Sequence, residues 1–238
     1  MGTRAPLAPQ EFYHVYNRGT EKRTIFTSKK EYERFIALLY VSNSNTPIHL
    51  SNHQGSTLPE LLEIARGEPL VDIVAYCLMP NHFHLLLRQH LDGGISSFMQ
   101  KLSTGYTMYF NLLHDRSGAL FQGKFKSSRA SDDNYLKYLT AYNHLNPLKL
   151  FDPNWKERKT FSKKGAWEHL EHYRHSSCPD YLGVTRPENK ILDTGALPLY
   201  FESPAAWKKD LVEWITGDEG NGKWQGSTLT FRGISRWS

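Results

Sequence analysis

Hydrophobic and polar positions change rhythm several times along the chain, and each change predicts an element. Residues 11–19 (EFYHVYNRG) are aromatic and β-branched and end at a glycine, which predicts an opening strand. Ser28, with Glu31 three residues on, has the form of a capping box ahead of Phe35, Leu38 and Leu39 at helical spacing. A polar, turn-rich loop over 42–58 and a short helix over 58–66 follow. Residues 70–79 and 82–89 read as two strands of an antiparallel hairpin, joined by the turn-forming pair Pro80-Asn81. From Gly94 to Leu113 the positions Ile95, Phe98, Leu102, Tyr106, Tyr109, Phe110 and Leu113 recur every three or four residues, an amphipathic helix. Residues 118–130 alternate and carry glycines, so a strand with a bend or bulge is expected. Asp132 or Asp133 then caps a helix over 134–146, which Pro147 ends.

This order, β-α-β-β-α-β-α with short hairpins, predicts an α+β fold in which helices cover an antiparallel sheet. Beyond residue 150 the pattern loosens. Helical pieces are expected near 165–175 and 203–216, with 217–238 a Gly-rich, flexible or loosely docked tail. The expected division is therefore a domain over 1–150 and a C-terminal extension over 151–238.

Composition adds only a few exclusions. The 238 residues are 39% hydrophobic and 22% charged, enough to bury a core. No apolar run approaches the roughly 18 residues of a membrane span, and the first residues lack the apolar stretch of a signal peptide. Two cysteines provide neither a disulfide framework nor a Cys-rich zinc module, so a cytoplasmic location is expected. Charge is more informative by position than in total. The stretch 114–175 holds 12 basic and 7 acidic side chains, an excess that equals the net +5 of the whole chain. A polyanionic partner is expected to meet that stretch.

Two groups of residues carry candidate chemistry. His82 and His84 flank Phe83 in a strand, and a period of two turns both imidazoles to one face, where they can bind a divalent cation jointly. Alone, a His-x-His pair is more often two unrelated histidines. On the helix, Tyr135, Tyr138 and Tyr142 share a face, an arrangement that usually means core. Tyr142 differs in having Asn146, a possible amide ligand, one turn further on. A tyrosine phenolate can attack a phosphodiester and hold the DNA covalently. A metal at the scissile phosphate would neutralise charge and fix geometry. His14 can approach from a neighbouring strand or serve the fold. His169, His172 and His175 turn by about 60° per step around a helix, too far to converge on one ion.

Four blocks, YHVYNRG (13–19), YCLMPNHFHLLL (76–87), LFQGKFKS (120–127) and YLKYLTAYNHLNP (135–147), resemble the REP-associated tyrosine transposases, whose signature is a His-hydrophobic-His motif with a single tyrosine. The resemblance implies a ferredoxin-like catalytic fold. It implies metal-dependent nicking and rejoining of single-stranded DNA beside a hairpin, such as a REP-like palindrome, through a 5′-phosphotyrosine and a free 3′-OH. By that resemblance Tyr142 is the nucleophile, and His82, His84 and Asn146 hold Mg or Mn. Arg116, Lys124, Lys126 and Arg129, beside the strand before the tyrosine helix, are the expected phosphate contacts, with Phe121 and Phe125 available to stack bases. Asn143 stands where the family often has isoleucine, and the loop over 43–67 is longer than usual. Two other functions compete: a replication-initiator or relaxase-type nickase, disfavoured because no GxxxxGK[ST] motif follows, and a non-catalytic hairpin-binding regulator. Whether the chain acts as a monomer or a homodimer is left open by the sequence.

Overall fold

The computed structural model describes residues 7–155, 162–200 and 202–216. Its centre is a four-stranded sheet of β1 (Phe12–Arg18), β2 (Val71–Met79), β3 (His82–Gln89) and β4 (Lys126–Arg129), in the order β2-β3-β1-β4 with every neighbouring pair antiparallel. Helix α1 (Lys29–Val41) leads from β1 towards β2, with the short α2 (Leu58–Leu61) following it on that path, and α3 (Gly94–Leu113) leads from β3 to β4. Each crossover skips the strand lying between its ends, the split β-α-β plan of a ferredoxin-like fold. The remaining helices are α4 (Asp133–Leu145), α5 (Leu148–Phe151), α6 (Lys163–His172), α7 (Cys178–Tyr181) and α8 (Pro204–Thr216).

Strand alternation divides the sheet into two faces. Tyr13, Val15, Phe83, Leu85 and Leu87 pack with α1 and α3 in the main core, where Phe35, Phe98 and Leu102 are fully buried. Phe12, Val74, Ala75 and Leu86 form a second cluster with Leu136 and Leu139 of α4, so α4 covers the opposite face. A register shift between Ile73 and Ala75 in β2 places Val74 and Ala75 both in that second cluster and turns Cys77 to the same side as His84. The α1 cap forms as its spacing predicts: the Ser28 N–H donates to Glu31 Oε2 at 2.9 Å, and His114, the residue capping the end of α3, reaches the same carboxylate at 2.5 Å.

Two elements are shorter than the sequence pattern suggests. The strand expected over 118–130 reduces to Lys126–Arg129, with an isolated bridge from Phe121 to Gly19 before it. Gly118 (φ 86°) and Gly123 (φ 70°) break the extended run in a conformation that other residues rarely adopt. The helix expected over 58–66 stops at Leu61.

Residues beyond 150 contribute a core of their own. Trp155, Ala166, Leu170, Cys178, Trp207 and Leu211 pack against Ala141 and Leu145 of α4. The Ser177 N–H donates to the Tyr76 carbonyl (2.9 Å), and the Tyr76 N–H donates to Ser177 Oγ (2.9 Å). Helix α4 thus lies between the sheet and the C-terminal helices. Both cysteines are buried and free, and no helix among the described residues is long and apolar enough to cross a membrane. The expected tail over 217–238 lies outside the described residues.

Candidate active site

Three elements meet at the site: β1, β3 and α4. On β1 the alternation that sends Tyr13 and Val15 into the main core turns His14, Tyr16 and Arg18 towards α4. On β3 the same alternation turns His82 and His84 to that side, where the ladder pairs Arg18 with His82 and Tyr16 with His84. From above, α4 brings Tyr142, whose ring meets those of His84 and His14 edge-on at 5.5 and 5.6 Å between centroids. His82 and His84 are themselves 4.9 Å apart and perpendicular. The structure therefore brings His82, His84 and Tyr142 together, with Asn146 capping α4 one turn beyond the tyrosine.

Hydrogen bonds fix which atoms are available. Asn81, in the hairpin turn, donates through Nδ2 to the Lys22 carbonyl at 3.2 Å, which leaves its Oδ1 to meet His82 Nδ1 at 2.6 Å. His82 Nδ1 is then the donor, and its Nε2 keeps a lone pair. His84 Nδ1 faces His14 Nε2 at 2.9 Å. Asn146 donates through Nδ2 to the Tyr142 carbonyl at 2.9 Å. His84 Nε2 and Asn146 Oδ1 are both buried and lack a hydrogen-bond partner among the described residues. These two unpartnered buried atoms and the imidazole of His82 suit a divalent cation, which would rest on two nitrogens and one amide oxygen. No cluster of three or more His, Cys, Asp or Glu side chains able to hold an ion occurs among the described residues.

The electrostatics favour neutral imidazoles and a positive surround. Burial, with Lys149 and Arg18 nearby, holds His82 down at about 3. Burial lowers His84 well below its ordinary value, and burial alone takes His14 to about 3. Neutral rings are the ligating form. Burial pushes the Tyr142 phenol well above its usual value, Cys77 and Tyr16 add to the shift, and the Asn146 side chain opposes it. Tyr16, Arg18, His82, His84, Gln122 and Lys126 line an open cleft, and no carboxylate is among the described residues that line it.

The expected phosphate contacts separate. Lys126 pairs with Tyr16 in the β1–β4 ladder, so it lies on the histidine face and lines the cleft. Arg129 pairs with Tyr13, which belongs to the other face, and is bound by both oxygens of Glu11 at 2.6 and 3.1 Å. Arg116 is held at the end of α3 by Asn111 and the Ala119 carbonyl, and Lys124 is exposed in the loop before β4. Phe121 is buried in the main core and Phe125 packs against it, so neither is presented as an open stacking platform. The C-terminal histidines disperse: His169 meets the Pro147 carbonyl, His172 the Glu168 carbonyl, and His175 stacks on Tyr32. Sequence reasoning passed over Arg18, Asn81 and Lys149. The alternation of YHVYNR carried the signal for Arg18, whereas Asn81 and Lys149 depend on which segments become neighbours.

A ferredoxin-like sheet thus sets paired imidazoles against a helical tyrosine, with Arg18 and Lys126 lining the cleft beside the imidazoles. The sequence profile of the IS200-like transposases matches residues 12–144, more than half of the chain, and the chain belongs to that family. Among solved structures, a REP-associated tyrosine transposase bound to a REP hairpin is similar, at 11% identity and a TM-score of 0.48, over 79% of this chain and 89% of its own. A comparison with curated proteins gives no match.

Proposed function

We propose that this protein is a single-strand DNA transposase that cuts and rejoins DNA beside hairpins, REP-like palindromes among them, with Tyr142 as nucleophile. The observation that carries this reading is the convergence of Tyr142 on His84 and His14 from the opposite side of the site. In the forward step the Tyr142 phenolic oxygen bonds to the scissile phosphorus and loses its proton. The bond from phosphorus to O3′ breaks, and the departing oxygen gains a proton. A free 3′-OH reverses the sequence, releasing Tyr142 and joining the strands. His82, His84 and Asn146 would hold Mg or Mn, which when bound offsets charge at the phosphate and favours the phenolate. Arg18 and Lys126 hold the phosphate from the cleft wall, and Lys149 adds positive potential from α5. Residues 1–150 form the catalytic domain in this reading, and 151–238 a C-terminal extension.

A hairpin oligonucleotide with a single-stranded flank, incubated with Mn2+, tests the proposal. A covalent protein–DNA adduct is expected from the native protein and none from Tyr142→Phe. An undiminished adduct in that variant would move the nucleophile, with Tyr138 the next candidate because its ring stacks 6.0 Å from that of Tyr142. The second reading is a hairpin-binding regulator without chemistry. Tyr142 is only 7% exposed, which favours it, since attack requires DNA to reach a phenol beneath α4. Tight hairpin binding with no adduct in Mg2+ or Mn2+ would decide for that reading.

A further inference from the structure

His82 and His84 are prepared unequally for ligation. The tautomer of His82 is dictated by an amide: Asn81 Oδ1 can only accept, so the ring proton sits on Nδ1 and Nε2 is free to bind. His84 has no such one-way partner. Its Nδ1 meets another imidazole nitrogen, His14 Nε2, at 2.9 Å, and either ring can donate. If His14 donates, His84 carries its own proton on Nε2 and cannot ligate. If His14 accepts, His84 Nε2 carries the lone pair.

The surroundings choose between these states. His84 Nε2 is buried with no acceptor among the described residues, so a proton there would be a stranded donor. His14 Nδ1 is also buried without a partner, and it must carry the proton if Nε2 accepts. Directly across the β1–β4 ladder from His14 stands Ser128, whose hydroxyl is buried and unpartnered too. Side chains paired across an antiparallel ladder have Cβ atoms roughly 4.5–5.5 Å apart; the two atoms are not bonded as they stand, and a rotation of the Ser128 hydroxyl is what would bring an acceptor to His14 Nδ1. With Ser128 so turned, donation from His84 through His14 to Ser128 gives both ring protons an acceptor and leaves a lone pair on His84 Nε2. The opposite direction strands a donor at the position a cation needs.

We infer that His14 is a positioning residue: by accepting from His84 Nδ1 it fixes that ring in the ligating tautomer, with Ser128 fixing His14 in turn. This rests on the reading that His84 binds the cation through Nε2. His14 touches neither substrate nor cation in this account. It acts on the site by setting which nitrogen of its neighbour is bare, the part that Asn81 plays for His82. The rings of His14 and His84 are stacked 5.0 Å apart and nearly coplanar in orientation (13°), which also restrains rotation of the ligand ring.

The tautomer can be read without metal or DNA. Long-range 1H–15N correlation spectra of the 15N-labelled, metal-free full chain assign each ring nitrogen of His84 as protonated or bare. The expected wild-type result is a protonated Nδ1 and a bare Nε2. His14→Phe fills the space without an acceptor and should move His84 towards the Nε2-protonated form. Calorimetric Mn2+ affinity should then fall about 10–100-fold, the usual effect of losing a ligand's hydrogen-bonding support. His14→Gln, whose amide oxygen can accept, should restore both tautomer and affinity. A wild-type His84 protonated on Nε2 would overturn the inference, as would a His14→Phe variant with unchanged tautomer and Mn2+ affinity. If His14→Phe fails to fold, the wild-type and His14→Gln spectra still decide. Protonated Nδ1 in the wild type with no Mn2+ uptake supports the role of His14 and contradicts the metal reading instead.

Discussion

Lys126 and Arg129 stand three residues apart on one short strand, yet their surroundings assign them different work. Lys126 lines the histidine cleft, whereas Arg129 lies on the other face with its charge matched by Glu11. Neutralising a phosphate contact lowers the salt dependence of single-strand binding by about 0.7 in log–log slope. Lys126→Gln should show that reduction, and Arg129→Gln should leave the slope unchanged, both measured by anisotropy titrations across salt. Equal reductions in the two variants would return Arg129 to the DNA path. Spacing alone revealed that His82 and His84 share a face and that Tyr142 precedes Asn146 by one turn, because both facts follow from the periods of strand and helix. It did not separate Lys126 from Arg129, because four cations in sequence carry no information about which ladder partner each will face. That His14 can approach from a neighbouring strand was legible, but its bond to His84 depends on strand register, and that of Asn81 on the Lys22 carbonyl 59 residues earlier in the chain.

At the scale of elements, the caps and crossovers were the most legible features. Ser28 and Glu31 announced α1, and β2–β3 closed through Pro80-Asn81 as their punctuation suggests. The strand before α4 was not, because alternation continues through Gly118 and Gly123 while the backbone does not. Glu31 has a larger role than capping. It is fully buried and accepts from the backbones of Thr27 and Ser28, the Thr27 hydroxyl and His114, joining α1 to α3. Burial alone would raise its pKa, but the hydrogen bonds from His114, Thr27 and Ser28 outweigh it and the net shift is downward. A carboxylate with a lowered folded-state pKa contributes stability above its ordinary value near 4.3, and that contribution is lost as pH falls through the lowered one. Glu31→Gln should therefore cost about 1–3 kcal/mol at pH 7 and much less at pH 3, as read from urea unfolding at the two pH values. An equal cost at both would mean that the charge is not what binds the two helices.

For the molecule as a whole, the C-terminal helices determine how firmly the tyrosine helix is held. Trp207 of α8 is almost wholly buried and packs edge-on to His144, two residues past Tyr142, while Trp214 lies 5.5 Å from Tyr138. Trp207→Ala should cost about 3–5 kcal/mol in chemical denaturation. Single-turnover cleavage should fall more than hairpin affinity, because the cations of the cleft lie on β1 and β4, away from α8. Equal losses in both would mean that the C-terminal helices shape the DNA surface directly. The sequence indicated an appendage but not that it shares a core with α4, since its tryptophans gain meaning only from what they pack against. The most direct test of the whole account is peptide mapping by mass spectrometry after the protein meets a hairpin substrate in Mn2+. The account predicts a nucleotide bound through phosphate to Tyr142 and to no other tyrosine. A modified Tyr138, or an unmodified chain with hairpin fully bound, would contradict it.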